Sequence, residues 1–297
     1  MRNSFLTAIA PMLWGTTYIV TTEFLPEYGP ISVAMIRALP IGLMLVLYFR
    51  VFPTGIWWWR SLVLGGLNIG LFFALLFVAT YRLPGGIAAT VGAIQPILVI
   101  LFSWPLFNRR PRLIILLVSL LGVLGVGLLV LAPTARLDLI GVLAALVGAM
   151  TMAGGVVLTK YWQRPVSLIV FTSWQLVAGG LILLPLALLF EAPFLQFPSG
   201  QNLFGFGWLA VLNTGLGYAL WFRGIEQLPA WKVSVLGLLS PVVAVGAGYF
   251  LLSQSLVFIQ LIGVGLILAS IVIAQRLNTN EPTTTENRWS LARTFRI

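Results

Sequence analysis

Leu67-Asn68-Ile69-Gly70-Leu71-Phe72-Phe73-Ala74-Leu75-Leu76-Phe77 returns 145 residues later as Leu212-Asn213-Thr214-Gly215-Leu216-Gly217-Tyr218-Ala219-Leu220-Trp221-Phe222. At the same offset Leu83-Pro84 matches Leu228-Pro229, Gly92 matches Gly237 and Pro96 matches Pro241. One register held across two apolar segments and the turn between them marks an internal repeat. The chain therefore divides into a first repeat over residues 1–132, a second over 138–275, and a polar tail over 276–297.

Around the repeated stretch lie apolar runs of about the roughly 20 residues needed to cross a bilayer. Ten are legible: Phe5–Thr22, Ile31–Phe49, Ser61–Thr80, Gly85–Phe107, Leu113–Leu131, Leu139–Thr159, Val166–Phe190, Leu203–Ile225, Ala230–Leu252 and Leu256–Ala274. Barrel strands are shorter and alternate apolar with polar residues, so the expected fold is an all-α polytopic membrane protein. With 8% charged residues and a mean hydropathy of +1.04, the chain cannot cover a water-facing surface, where about 25% is usual. Arg2 before the first run invites a signal-peptide reading. No small-x-small cleavage site closes that run, and Glu23 and Glu27 follow, so it is read as a retained helix.

The net charge of +10 would suggest nucleic acid in a soluble protein. Here it is an orientation code, because basic residues collect on the cytoplasmic side. With the N-terminus inside, 14 basic residues fall inside and two, Arg82 and Arg136, outside, while Arg37 lies within a run. The outer turns hold Glu23, Glu27, Asp138 and Glu191. Five helices per repeat is odd, so the second repeat enters from the opposite side. The charges reverse accordingly: the turn with Glu23 and Glu27 corresponds to the one with Lys160 and Arg164, and Arg109-Arg110-x-Arg112 corresponds to neutral Ser253-Gln254-Ser255. The expectation is a 5+5 inverted-topology repeat with both termini cytoplasmic, an architecture typical of secondary transporters.

This plan resembles the drug/metabolite transporter superfamily, EamA type. Trp14-Gly15, Arg37-Ala38, the Asn/Gly/Ala pattern of helices 3 and 8, and mid-helix Pro96 and Pro241 carry the resemblance over residues 5–275. Among its members the chain is similar to the aromatic amino acid exporters of bacterial inner membranes. The resemblance implies a central cavity lined by helices 1, 3, 4, 6, 8 and 9, alternating access, and export of amino acids or similar metabolites.

The residues suggest where substrate would sit. Trp14, Thr17, Tyr18 and Thr21 are spaced to share one face of helix 1, suited to stacking on a flat substrate with polar edges; packing and backbone bonding by the threonines is the plain alternative. Asn68 and Asn213 need partners in hydrocarbon and must face the bundle interior, as substrate contacts or as interhelical ties. Tyr218 and Trp221 lie near Asn213, Phe72 and Phe73 near Asn68, with Phe72 the candidate contact, and Gln95 stands out as a long mid-membrane amide, beside Thr90, Ser234 and Ser240. Pro96 and Pro241 should kink their helices and are candidate hinges. Arg37 is either a carboxylate anchor or a structural residue that snorkels or bonds backbone carbonyls; its place near the outer end of helix 2 favours the structural role. Gly65-Gly66, Gly122/Gly125/Gly127 and Gly263/Gly265 are close-packing positions, those of helices 5 and 10 also candidate contacts in a weak homo-oligomer.

Absences narrow the chemistry. The chain has no Cys and no His, which removes thiol and histidine catalysis and the usual zinc sites; no metal or other cofactor is expected. No carboxylate lies within a run, so a proton relay has no obvious carrier, and facilitated or weakly coupled export is expected. No phosphate loop is present, so an ATP-driven pump is not expected unless a separate subunit supplies the ATPase, and without His or Cys an integral membrane enzyme is not expected either. The partners are a small-molecule substrate and the lipid bilayer. Export of cationic aromatic compounds, or transport of sugar phosphates or nucleotide sugars, ranks below that of aromatic or other apolar amino acids. The tail is expected to be a disordered cytoplasmic segment, with a short amphipathic surface helix as the alternative.

Overall fold

A computed structural model of the chain describes residues 2–82, 91–108, 110–130, 138–191, 198–253 and 256–277, the side chains of Tyr18, Phe77, Thr80, Tyr81 and Val130 excepted. Leu83-Pro84, Thr90, the linker at 131–137 and the tail from 278 onward lie outside the described residues. Every regular element among the described residues is helical.

In chain order these are α1 (Arg2–Gly15), α2 (Thr17–Phe24), α3 (Pro30–Phe49), α4 (Trp57–Gly65), a π-helical segment Gly66–Gly70, α5 (Leu71–Arg82), α6 (Gln95–Phe107), α7 (Leu113–Val130), α8 (Leu139–Trp162) and α9 (Leu168–Phe190). Then follow α10 (Gly200–Gly207), a second π-helical segment Trp208–Leu216, α11 (Gly217–Gln227), α12 (Ala230–Gly237), α13 (Leu239–Leu252) and α14 (Phe258–Arg276). Seven continuous helical stretches are long and apolar enough to cross a membrane, and α6 and α7 add two shorter apolar ones. The chain is a multi-pass membrane protein. The difference from ten runs has local causes. The first run is broken at Thr16, whose N–H and hydroxyl both bond the Leu13 carbonyl, and the fourth falls partly on residues outside the description.

Local chemistry sets the ends. Pro30, with φ preset and no N–H to satisfy, opens α3. Asp138 caps α8 by accepting from Gly141 N at 2.7 Å. Ser199 and Asn202 form a reciprocal capping box at α10. Asn108 and Ser253, 145 residues apart, close α6 and α13 in the left-handed conformation with φ of 51° and 52°. The proline-bearing segments break rather than bend: turns at Ala93–Ile94 and at Leu238 precede Pro96 and Pro241, each of which then sits in the first turn of the next helix.

The packing is pairwise. α3 lies along α9, α7 along α14, α5 along α8, α1 along α11, α6 along α12, and α13 and α6 approach α1 and α8 respectively. Gly125 and Gly263 bring α7 and α14 into near backbone contact: a Cβ on Gly125 would stand 2.8 Å from the Gly263 carbonyl, and one on Gly263 2.6 Å from the Gly125 carbonyl. Gly122 faces Leu238 and Ser270, and Gly65 faces Gln175 and Ala178. These glycines are thus engaged within one chain. Leu47, Tyr48, Leu189, Phe190, Phe250 and Phe258 point outward, as the lipid-facing side of such a bundle requires. The main core gathers Phe73, Phe171, Tyr218, Trp221 and Phe222 between the two halves.

Candidate functional site

The repeated Leu-Asn-x-Gly-Leu stretches coincide with the two π-helical segments. A π turn reaches i+5 instead of i+4 and interrupts the α ladder, and the asparagine carbonyl in each segment is met by an aromatic donor from the other half of the chain. Trp14 Nε1 donates to the Asn213 carbonyl at 2.8 Å. Tyr218 Oη donates to the Asn68 carbonyl at 3.0 Å.

The asparagine side chains are fully buried and tie helices together. Asn68 Nδ2 donates to Gln175 Oε1 at 2.8 Å and Thr159 Oγ1 at 3.3 Å. Asn213 Nδ2 donates to Thr17 Oγ1 at 3.0 Å and Thr16 Oγ1 at 3.4 Å. Their carbonyl oxygens Oδ1, and Gln175 Nε2, have no hydrogen-bond partner among the described residues. Asn68 lies so close to Gly155 that a Cβ there would overlap its amide.

Around these amides the rings converge. Trp14 stands 5.2 Å from Tyr218 and 5.0 Å from Trp221, tilted by 52° and 55°. Phe73 meets Tyr218 edge-on at 6.4 Å. Trp14 is half-buried, whereas Tyr218 and Trp221 are sealed in, and the Trp221 indole N–H has no acceptor among the described residues. The expected grouping of Trp14, Thr17, Asn213, Tyr218 and Trp221 is therefore one contiguous place, with Asn68 joined through Tyr218.

Other candidates sit differently. Phe72 packs on Phe73 at 5.6 Å; it is Phe73 that reaches Tyr218. Gln95 opens α6 with its Nε2 buried and unpartnered among the described residues, and has no bond to the ring cluster. Tyr18 lies in α2, its side chain outside the description. Thr21 bonds the Thr17 carbonyl and Ser234 the Ala230 carbonyl, each within its own helix.

Arg37 does not snorkel, and among the described residues it bonds no backbone carbonyl. It is 4% exposed, inside α3. Its Nε donates to Thr214 Oγ1 at 2.8 Å, and its guanidinium carbon lies 4.9 Å from the centre of the Phe73 ring. Helix 2 is thereby drawn into the site beside Asn213. Thr16, Thr159, Gln175, Trp208 and Thr214 complete the polar contacts, Trp208 Nε1 donating to Thr16 Oγ1 at 3.0 Å. Gln175 carries the signal that singled out Gln95, an amide in mid-run.

Charged contacts lie at the ends. Glu191 caps α3 with both oxygens, accepting from Ile31 N at 2.8 Å, Ser32 N at 2.7 Å and Ser32 Oγ at 2.6 Å. Arg164 pairs with Glu226 at 2.5 Å, and Lys160 donates to the Glu226 and Leu228 carbonyls. Arg82 lies 3.6 Å from Asp138.

The EamA-like transporter family model matches residues 2–131 and again residues 139–275. The chain belongs to the EamA-like transporter family. Protein PecM of Dickeya dadantii (strain 3937) is 44% identical over 271 residues, covering 91% of each chain. A protein of Salmonella typhimurium (strain LT2) named "Probable amino-acid metabolite efflux pump" is 27% identical over 288 residues, covering 92% of this chain and 94% of that one. A crystal structure superposes with a TM-score of 0.79 at 21% identity, covering 94% of this chain and 99% of the other, a likeness of fold. EamA membership makes the protein a membrane transporter of small molecules and not an enzyme. The similarity reaches the family and stops short of any one exporter within it.

Proposed function

We propose that this EamA-family protein exports aromatic or other apolar amino acids across a bacterial inner membrane by alternating access. The observation that carries the reading is the Trp14–Tyr218–Trp221 ring cluster set directly on the Asn213–Thr17 amide and hydroxyl contacts. Half-buried Trp14 offers a π face to a flat side chain, and neighbouring hydroxyls and amides offer bonds to polar edges. The name of the Salmonella relative points the same way.

Alternating access rests on a 5+5 inverted repeat of ten spans with both ends cytoplasmic. Several observations support it: two π-helical segments on repeated asparagines, paired left-handed ends at Asn108 and Ser253, paired breaks before Pro96 and Pro241, and a family match that occurs twice. The helix packing also keeps its pattern when each element is exchanged for its counterpart: α5 on α8 becomes α11 on α1. Under this reading the breaks before Pro96 and Pro241 are the bending points.

The test is efflux from liposomes loaded with phenylalanine, tyrosine, tryptophan, leucine, a sugar phosphate and a cationic dye. Preference for aromatic amino acids, lost in Trp14→Ala, supports the proposal. Selective efflux of the phosphate compound or the dye replaces it.

A further inference from the structure

We infer that Arg37 seats the substrate's carboxylate, its two terminal nitrogens gripping the carboxylate oxygens while Nε stays on Thr214. The inference rests on the export of amino acids proposed above and assigns which group of the substrate binds where.

Arg37 carries a charge that no carboxylate among the described residues offsets. Arg37 lies about two turns inside α3 and is the one charged side chain fully buried among the described residues. A lone cation in a membrane interior is costly unless paired. The chain has seven acidic residues, Glu23, Glu27, Asp138, Glu191, Glu226, Glu281 and Glu286. Asp138 caps α8 and pairs with Arg82, Glu191 caps α3, and Glu226 pairs with Arg164. Glu23 and Glu27 are exposed at the end of α2 and just beyond it, and the last two belong to the polar tail. Among the described residues no carboxylate pairs with Arg37.

Geometry then says what would. Thr214 takes Nε, and Phe73 covers one face of the guanidinium. The terminal nitrogens Nη1 and Nη2 have no acceptor among the described residues. That pair is the edge of the guanidinium fork, spaced for the two oxygens of a carboxylate. The same Phe73 ring that underlies Arg37 meets Tyr218, and Tyr218 meets Trp14. An acid held on Arg37 thus lies beside Phe73, one ring contact from Tyr218 and two from Trp14. A single guanidinium offsets one negative charge, whereas a phosphomonoester carries nearly two; this favours a carboxylate over a phosphate.

The experiment uses the full-length protein in liposomes loaded with L-phenylalanine, L-phenylalaninamide or phenyl phosphate. The wild type should export the acid at least ~10-fold better than the amide, the scale of a charge-assisted bond. Arg37→Gln should erase that preference while retaining export of the amide, and Arg37→Lys should restore part of it. Thr214→Val, which keeps the cation but frees Nε, should raise KM for phenylalanine several-fold with kcat held. If Arg37→Gln does not fold, the wild-type ratio and Arg37→Lys decide. Equal export of acid and amide by the wild type overturns the anchor and leaves the exporter reading standing. Export of phenyl phosphate in preference to phenylalanine overturns the carboxylate assignment. If, in the wider panel of loaded liposomes described above, no amino acid leaves while the cationic dye does, the exporter reading itself is overturned and the anchor with it.

Discussion

Tyr218 donates its phenolic proton to the main-chain oxygen of Asn68 across 3.0 Å, and the bond Trp14 sends to the main-chain oxygen of Asn213 is its counterpart. Each half of the chain thereby holds the irregular segment of the other. Tyr218→Phe removes only that donor and leaves a buried carbonyl short of a partner, a cost of ~1–3 kcal/mol. Its melting temperature in detergent should fall, with the fold retained. An unchanged melting temperature would show that the bond adds nothing.

Trp14 separates packing from recognition. Trp14→Phe keeps a ring beside Tyr218 and Trp221 but loses the N–H; Trp14→Ala loses both. Export of phenylalanine relative to leucine should survive in the first and drop by about 10-fold in the second, on the scale of ~1.4 kcal/mol for lost ring contacts. Equal ratios in both variants would place Trp14 outside the substrate path.

Gly155→Ala should fail through Asn68. The added Cβ meets the buried amide, which is also tied to Gln175 and Thr159, so the helices must part. Overpacking of this kind costs ~1–3 kcal/mol. Loss of folded yield, partly rescued by Asn68→Ser, is the expected result in a detergent-solubilised preparation.

Pro96→Ala and Pro241→Ala test the paired breaks. A continuous helix in place of either break should slow turnover several-fold while leaving substrate affinity close to wild type. Unchanged turnover in both would sink the hinge assignment.

Export should persist without a pH gradient, because no carboxylate lies within an apolar run and the chain has no histidine. Liposomes with and without an imposed gradient measure this directly; strict dependence on the gradient would redirect attention to Glu226.

Much of this was legible from residue order because a bilayer is a severe solvent. The apolar runs follow from what hydrocarbon forbids, and Asn68 and Asn213 were forced inward for the same reason. What escaped the sequence depended on which faces meet. Thr16, Thr159 and Thr214 are small hydroxyls whose partners arrive from distant helices. Which of the neighbouring rings Phe72 and Phe73 turns inward also escaped residue order: across a π turn the fifth residue stacks, and Phe73 and Tyr218 are each the fifth past their asparagine. Arg37 stands about two turns into α3, as its place in the run suggests, but the partners it meets there, Thr214 and Phe73, come from other helices and are not readable from residue order.

The π-helical segments have a consequence for how such a protein changes over time. A helix turns about 100° per residue, so deleting one residue from Trp208–Leu216 would let it relax toward a regular helix. Every side chain beyond would then swing by roughly that angle relative to the part before it. Tyr218 and Trp221 would leave Trp14 without either having been replaced. The aim of the rings is therefore set by the length of the segment as well as by their identity. Relatives that differ there by a single insertion or deletion should differ in what they carry, even where their aromatic residues match.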